Sequence, residues 1–249
     1  KQGGGGSIDL TMHCMGVDYK GALAWLAASF GTGAVGQDVA LRSIKKAKAE
    51  LKQAVKDTSP FKPPEPHPEN WEGVRNYLIQ ERKLEADVVD DLHSQGDIYA
   101  DERRNAVFIA RDQEGRPTGA ELKGTGGSKF SGMAVGSLKA KGGFKIGKFT
   151  AKAVILVESA IDAISLYILN LKNGDTSQAA TIMSAAGSSP SPPELSEIFP
   201  RKFNAYDADA VGDKAAEMMG WERLRPPEEG ADWNNILMKA DSGSADQAS

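Results

Sequence analysis

The chain has 249 residues, 40% hydrophobic and 26% charged, with a formal net charge of −4. That composition suits one large or two small globular domains and speaks against a constitutive nucleic-acid binder, which is basic overall. No apolar run approaches the roughly 20 residues of a bilayer span, no signal peptide is visible, and a lone cysteine, Cys14, excludes an intrachain disulfide and points to a reducing, cytoplasmic setting.

The chain opens on Lys1 rather than Met and reads as a fragment. Residues 3–7 also spell a common engineered linker, but Ile8, Leu10 and Met12 follow at once. Leu23, Leu26, Ala27 and Phe30 lie at helical spacing and predict a short amphipathic helix. His13 and Cys14 invite a metal reading. A structural zinc site needs four ligands at patterned spacing, and one cysteine with His13, His67 and His93 does not supply them, so zinc is not expected. Residues 37–56 predict a basic helix whose lysines form a solvated face. Residues 57–70 carry five prolines and read as a linker.

Beyond the linker, Trp71, Val74, Tyr77 and Leu78 predict a helix over 71–83, and a shorter one over 86–93 ends at Gly96. Residues 106–110 and 117–122, joined by the turn at 112–115, predict a hairpin. The following segment, 123–148, is rich in glycine and contains Lys123, Lys129, Lys139, Lys141, Lys145 and Lys148 with no acid among them. It is expected to form a local basic patch that meets phosphates.

Residues 151–237 alternate apolar runs (154–157, 180–183, 203–206) with helical segments (160–171, 194–199, 213–219). That rhythm predicts a parallel sheet with helices on its faces. A last short strand is expected at 223–225, then a helix with Asp232 as its N-cap, then a polar tail. Two of the strands end in acids: the first at Glu158, the third at Asp207 with Asp209 two residues on. In open α/β sheets ligands bind where the strands end. Three carboxylates gathered there raise one another's pKa, and their hard oxygens suit Mg²⁺ or Mn²⁺. The carboxyls are therefore expected within reach of one ion. The bland alternative for each acid is a cap on the next helix.

The two acidic stretches, VILVESAIDAIS and AYDADAVGDKAA, resemble the signatures of the Toprim domain, found in bacterial-type primases, type IA and II topoisomerases, overcoming-lysogenisation-type nucleases and recombination-repair proteins. The hairpin NAVFIARDQEGRPTG followed by KFSG is similar to the stretch before the Toprim core of bacterial primases. RLRPPEEGADWNNIL resembles the ending of primase-like proteins of plasmids and integrative elements. The opening residues look like the rear half of a CHC2-type zinc-binding domain without its front ligands. The resemblance implies a DNA primase core making short RNA primers on single-stranded DNA from NTPs, with a replicative helicase as a possible partner and no membrane. By it, Glu158 is a general acid/base or metal ligand, Asp207 and Asp209 are the metal pair, Asp162 is a secondary acid, and Asp232 falls where later acids occur. The six lysines occupy the nucleotide- and DNA-binding segment. Asn235 stands where an acid is common. A Toprim nuclease and a non-catalytic single-strand-binding accessory are the competing readings. Tyr19, Tyr77, Tyr99, Tyr167 and Tyr206 sit in no recognisable topoisomerase context.

The expected organisation is an α/β chain: an N-terminal helical segment (1–56), the linker (57–70), a smaller mixed α+β basic subdomain (71–150), a Toprim parallel sheet flanked by helices (151–240) and a flexible tail (241–249).

Overall fold

A computed structural model describes residues 61–127, 130–148, 151–174 and 180–245, with isolated positions between 11 and 26. The chain divides into two compact units, Lys1–Thr58 and Ser59–Ser249. Of the first, described positions around 11–26 are helical. His13 and the expected helix at 37–56 lie outside the described residues, and Cys14 is exposed.

The second unit begins with an extended proline-rich strip that runs along the first sheet: His67 N–H donates to Ala100 O, and Tyr99 Oη donates to Pro64 O. Helix α1, Trp71–Asn76, widens into a π turn over Tyr77–Glu81, closed by Arg82 N–H on Tyr77 O at 3.1 Å. Helix α2 is Ala86–Ser94. Four antiparallel strands follow in the order β1 (Ile98–Ala100), β2 (Asn105–Arg111), β3 (Pro117–Gly124) and β4 (Ser131–Met133). The predicted hairpin is β2–β3, and it gains a strand on each side.

The second sheet has the order β5-β7-β6-β8-β9, from Lys145–Ile146, Ala180–Ser184, Ala153–Val157, Arg201–Asn204 and Glu222–Arg223. The β6–β7, β6–β8 and β8–β9 pairs are parallel, as the apolar runs imply, whereas β5 adds to the β7 edge antiparallel, making the sheet mixed. Ile155 and Val157 of β6 point into one core with Ile161, Ile164 and Leu237, and Val154 and Leu156 into another with Met183, Phe199 and Tyr206. Burial on both faces is the reason β6 is apolar at every position. Helices α3 (Ala160–Lys172) and α5 (Trp233–Ala245) cover the first face, and α4 (Ala210–Met219) with the 3₁₀ turn Glu194–Ile198 covers the second. Helix α5 continues through Ala245, into the stretch expected to be a tail.

The two sheets meet at Gly142-Gly143. A Cβ on Gly142 would lie 2.3 Å from Arg111 O, and one on Gly143 2.5 Å from Ser184 O. Only glycine lets the chain pass between the β2 and β7 ends so closely. The same main core includes Phe108 from the first sheet and Phe144 and Ile182 from the second, with the two phenyl rings edge to face at 5.6 Å. Among the described residues no helix is long and apolar enough to cross a membrane.

Candidate active site

Strand β6 leads through α3 to β7 on one side, and the chain then returns to β8 on the other side of β6. The crevice at the C-terminal ends of β6 and β8 is thus a topological switch point, where loops diverge to opposite faces and leave room for a ligand. Glu158 follows β6, and Asp207 and Asp209 follow β8.

Local capping accounts for much of the geometry. Ser159 caps α3: its Oγ accepts the Asp162 N–H at 3.2 Å and donates to Asp162 Oδ2 at 2.5 Å. Asp209 caps α4, taking the Val211 and Gly212 N–H groups at 2.9 and 2.7 Å. Asp232 caps α5, its Oδ1 accepting the Asn235 N–H at 2.6 Å. These are the interactions an acid or hydroxyl makes with the open donors of a first helical turn.

The remaining carboxyls, Asp207, Glu158 and Asp162, are all raised by burial and by the charges of neighbouring acids. Asp207 Oδ1 is buried and has no hydrogen-bond partner. Burial pushes the Asp207 carboxyl up to about 8, and the charges of Asp162, Glu158, Asp232 and Asp209 add to that push. Glu158 is also raised, by burial first and the Asp209 charge next, while its Oε1 accepts the Asp207 N–H at 3.3 Å. Asp162 is buried in α3 and pushed up to about 6, by desolvation and then by Asp232, with its Oδ1 taking the Asn234 N–H at 3.3 Å. All five acids expected from the sequence therefore share one electrostatic neighbourhood. The tighter expectation is corrected: among the described residues no three acids, histidines or cysteines are arranged to hold a metal ion. The physical reason is the α4 cap, which turns the Asp209 carboxyl toward its own helix.

Two long-range features hold the loop after β8. Arg223 donates to Asn204 Oδ1, Tyr206 O, Asp207 O and Asp213 Oδ1 at 3.1, 2.7, 2.7 and 2.9 Å. Gly212 lies so close that a Cβ there would come within 2.4 Å of Asp207 O.

At the first turn of α3 lies a cleft of about 100 Å³ lined by Arg82, Glu121, Lys123, Asp162, Asp232 and Asn234, among others. Among the described residues Lys123 is the one expected lysine that faces it; burial and then the Arg82 charge lower its pKa. The other described lysines of the segment stand at separate places. Lys139 Nζ donates to Ala186 O, beside the β7 end. Lys141 pairs with Glu194 at 2.9 Å. Lys145, its pKa lowered by burial, lines a separate cavity with Lys148, Arg111 and Tyr167. Lys129 lies outside the described residues. Sequence reasoning missed Arg82, Asn234 and Glu121. Only Glu121 left a signal, since strand alternation puts it on the same face as Lys123.

Residues 76–148 match a family described as "Protein of unknown function (DUF3991)". The chain is similar to a 65 kDa protein of Zymomonas mobilis, 34% identical over 260 residues that cover 96% of this chain and 43% of that protein. A 55-residue stretch is 42% identical to an uncharacterized protein of Bacillus anthracis, covering 22% of this chain and 15% of that one. The chain thus spans less than half the length of these curated relatives. Among solved structures it is similar to a DnaG catalytic core (TM-score 0.47, 17% identity, 70% of this chain and 72% of that one). It is also similar to the primase fragment of the bacteriophage T7 primase-helicase (TM-score 0.47, 16% identity, 68% of this chain and 73% of that one).

Proposed function

We propose that this chain is a primase-like catalytic core, joining NTPs into short RNA primers on a single-stranded DNA template by metal-dependent nucleotidyl transfer. The observation that carries the reading is the Asp207 carboxyl: an unpartnered buried oxygen at a switch point among four other acids, two of which, Asp162 and Asp232, line the cleft that also holds Lys123 and Arg82. Such a group is stable in its ionised form only with a cation beside it. Glu158 and Asp207, which meet through the Asp207 N–H, would hold Mg²⁺ or Mn²⁺; the donors are the hard carboxylate oxygens these ions prefer, and Mg²⁺ needs only one or two of them besides waters and substrate phosphates. When bound, the ion supplies positive charge to the phosphate oxygens as the displacement proceeds.

The chain's own residues supply the rest. Lys123 and Arg82 meet triphosphate oxygens from across the cleft as fixed positive charges. A primer 3′-hydroxyl attacks the α-phosphorus of the next NTP, a P–O bond forms, and pyrophosphate leaves. Glu158, raised toward neutrality, takes the hydroxyl proton. Asp162 stays back in α3 and tunes Asp207 through its charge. The template and a replicative helicase are the partners this reading implies.

The test is primer synthesis on single-stranded DNA with labelled NTPs, with Mg²⁺ and with Mn²⁺. Glu158→Gln and Asp207→Asn should each abolish it; full activity in both would overturn the reading. Metal-dependent DNA cleavage without NTPs would replace it with the nuclease reading.

A further inference from the structure

Glu121 takes no part in the reaction above, yet it touches the site. It lies on β3, opposite Phe108 and two residues before Lys123, facing the cleft. Its Oε2 accepts the Ala160 N–H at 3.0 Å. Its Oε1 is buried and meets no group at hydrogen-bonding geometry, although the Ser184 hydroxyl beside it favours the charged form. Burial pushes the carboxyl up to about 7; the Asp162 charge adds to this and Lys139 opposes it.

The contact matters because of what α3 lacks. The first N–H groups of a helix have no partner within it. Ser159, the α3 cap, gives its oxygen to the Asp162 N–H. Ala160 is buried, so water does not serve its N–H, and a buried donor left open costs about 1–3 kcal/mol. The partner comes from the other sheet, 39 residues earlier in the chain. Ser184 contributes from the other side, lying within 3.3 Å of Glu158 O. The backbone that presents Glu158 is therefore bracketed by Glu121 at Ala160 and by the end of β7.

We propose that Glu121 is a positioning residue, a carboxyl on the hairpin that closes the first turn of α3 and so fixes Glu158 and Asp162 against the Lys123 side of the cleft. Its role depends on reach and on an acceptor oxygen. Glutamine keeps both. Aspartate keeps the acid but shortens the side chain by about 1.5 Å, one carbon–carbon bond. A buried acid that mattered only for its charge would behave the opposite way.

This inference rests on the nucleotidyl-transfer reading, so Glu158→Gln runs beside it in the same primer-synthesis assay. With Glu158→Gln inactive, Glu121→Gln should keep kcat within about twofold, and Glu121→Asp should lose about tenfold in kcat with KM for NTP little changed, since an ångström of misplacement costs up to about a hundredfold. Hydrogen exchange at the Ala160 amide should be slow in the unsubstituted protein and in Glu121→Gln, and fast in Glu121→Asp. Full kcat in Glu121→Asp, or an equal loss in Glu121→Gln, overturns the inference. If Glu121→Asp does not fold, Glu121→Gln decides alone: kcat within twofold supports it and a tenfold loss overturns it. An active Glu158→Gln overturns the nucleotidyl-transfer reading instead, and slow exchange at Ala160 still tests the contact.

Discussion

The Asp207 N–H points at Glu158 Oε1, 3.3 Å away, so the acids that follow β6 and β8 are joined through main chain rather than held apart. Glu158 thereby contributes a hydrogen bond to the Asp207 backbone and a charge that works against the Asp207 carboxyl. A site built this way gives up stability, and on the proposed reading the gain is a carboxylate that takes a cation, the usual conflict between stability and function.

Asp207→Asn separates these two effects. It removes the most perturbed carboxyl while keeping its size. Metal-free thermal melts at pH 8 should show a higher midpoint than the unsubstituted protein. Primer synthesis should fall by at least about a hundredfold, the lower end of what a group handling charge or protons contributes. An unchanged melting midpoint would contradict the electrostatic account of Asp207.

The same acids set a pH dependence. Asp162, Glu121 and Asp207 are raised from 3.8, 4.5 and 3.8 to about 6, 7 and 8. Between the ordinary and raised values the folded chain binds more protons than the unfolded one, so unfolding free energy falls as pH rises. Their contribution is complete below pH 3.8 and is lost progressively by about pH 8. Urea titrations without divalent ions should lose stability across that window, with Asp207→Asn the less steep. On the proposed reading Mg²⁺ would compete with the proton for Asp207, so its stabilising effect should grow as pH rises.

Much of this was legible in the chain. The run at β6 is apolar throughout because both faces are covered, and Glu158, Asp207 and Asp209 follow strands that pair with one another or with a common neighbour. What was not legible depends on distant partners. Arg82 and Asn234 are 152 residues apart and meet at 2.7 Å. Strand β5 is two residues long and lies among glycines and lysines, where no pattern can show. The lysine segment has uniform charge, but its backbone folds through β4, a loop and β5, so Lys123 and Lys145 line different cavities. Asp209 was legible as an acid after β8, while its orientation was set by the first turn of α4.

Gly212→Ala tests the packing beneath the acids. The added Cβ would come 2.4 Å from Asp207 O and 3.2 Å from the Tyr206 Cβ. The nearest atom is backbone, already held by Arg223 at 2.7 Å, so it cannot yield cheaply. Overpacking of this kind costs about 1–3 kcal/mol. The urea midpoint should fall, and primer synthesis measured well below it should fall too, because the displaced carbonyl belongs to Asp207. A folded Gly212→Ala with unaltered activity would mean that the loop tolerates the shift.

Asn234 holds the other side of the cleft. Its Nδ2 donates to Arg82 O at 2.7 Å and to Ser165 Oγ at 3.0 Å, its Oδ1 accepts from Arg82 Nη1 at 3.3 Å, and its N–H reaches Asp162. Asn234→Leu leaves the Arg82 carbonyl without that donor, at a cost of about 1–3 kcal/mol for an orphaned buried group, and leaves the guanidinium with its Nε bond to Tyr77 Oη. Asn234→Asp sets an acceptor against the Arg82 carbonyl and a second acid beside Asp162. It should be destabilised more at pH 8 than at pH 5, because the new carboxyl must ionise where burial and Asp162 oppose it. Melting midpoints at the two pH values check this: a loss in Asn234→Asp that is independent of pH would show that the amide serves packing alone, without the charge coupling to Asp162.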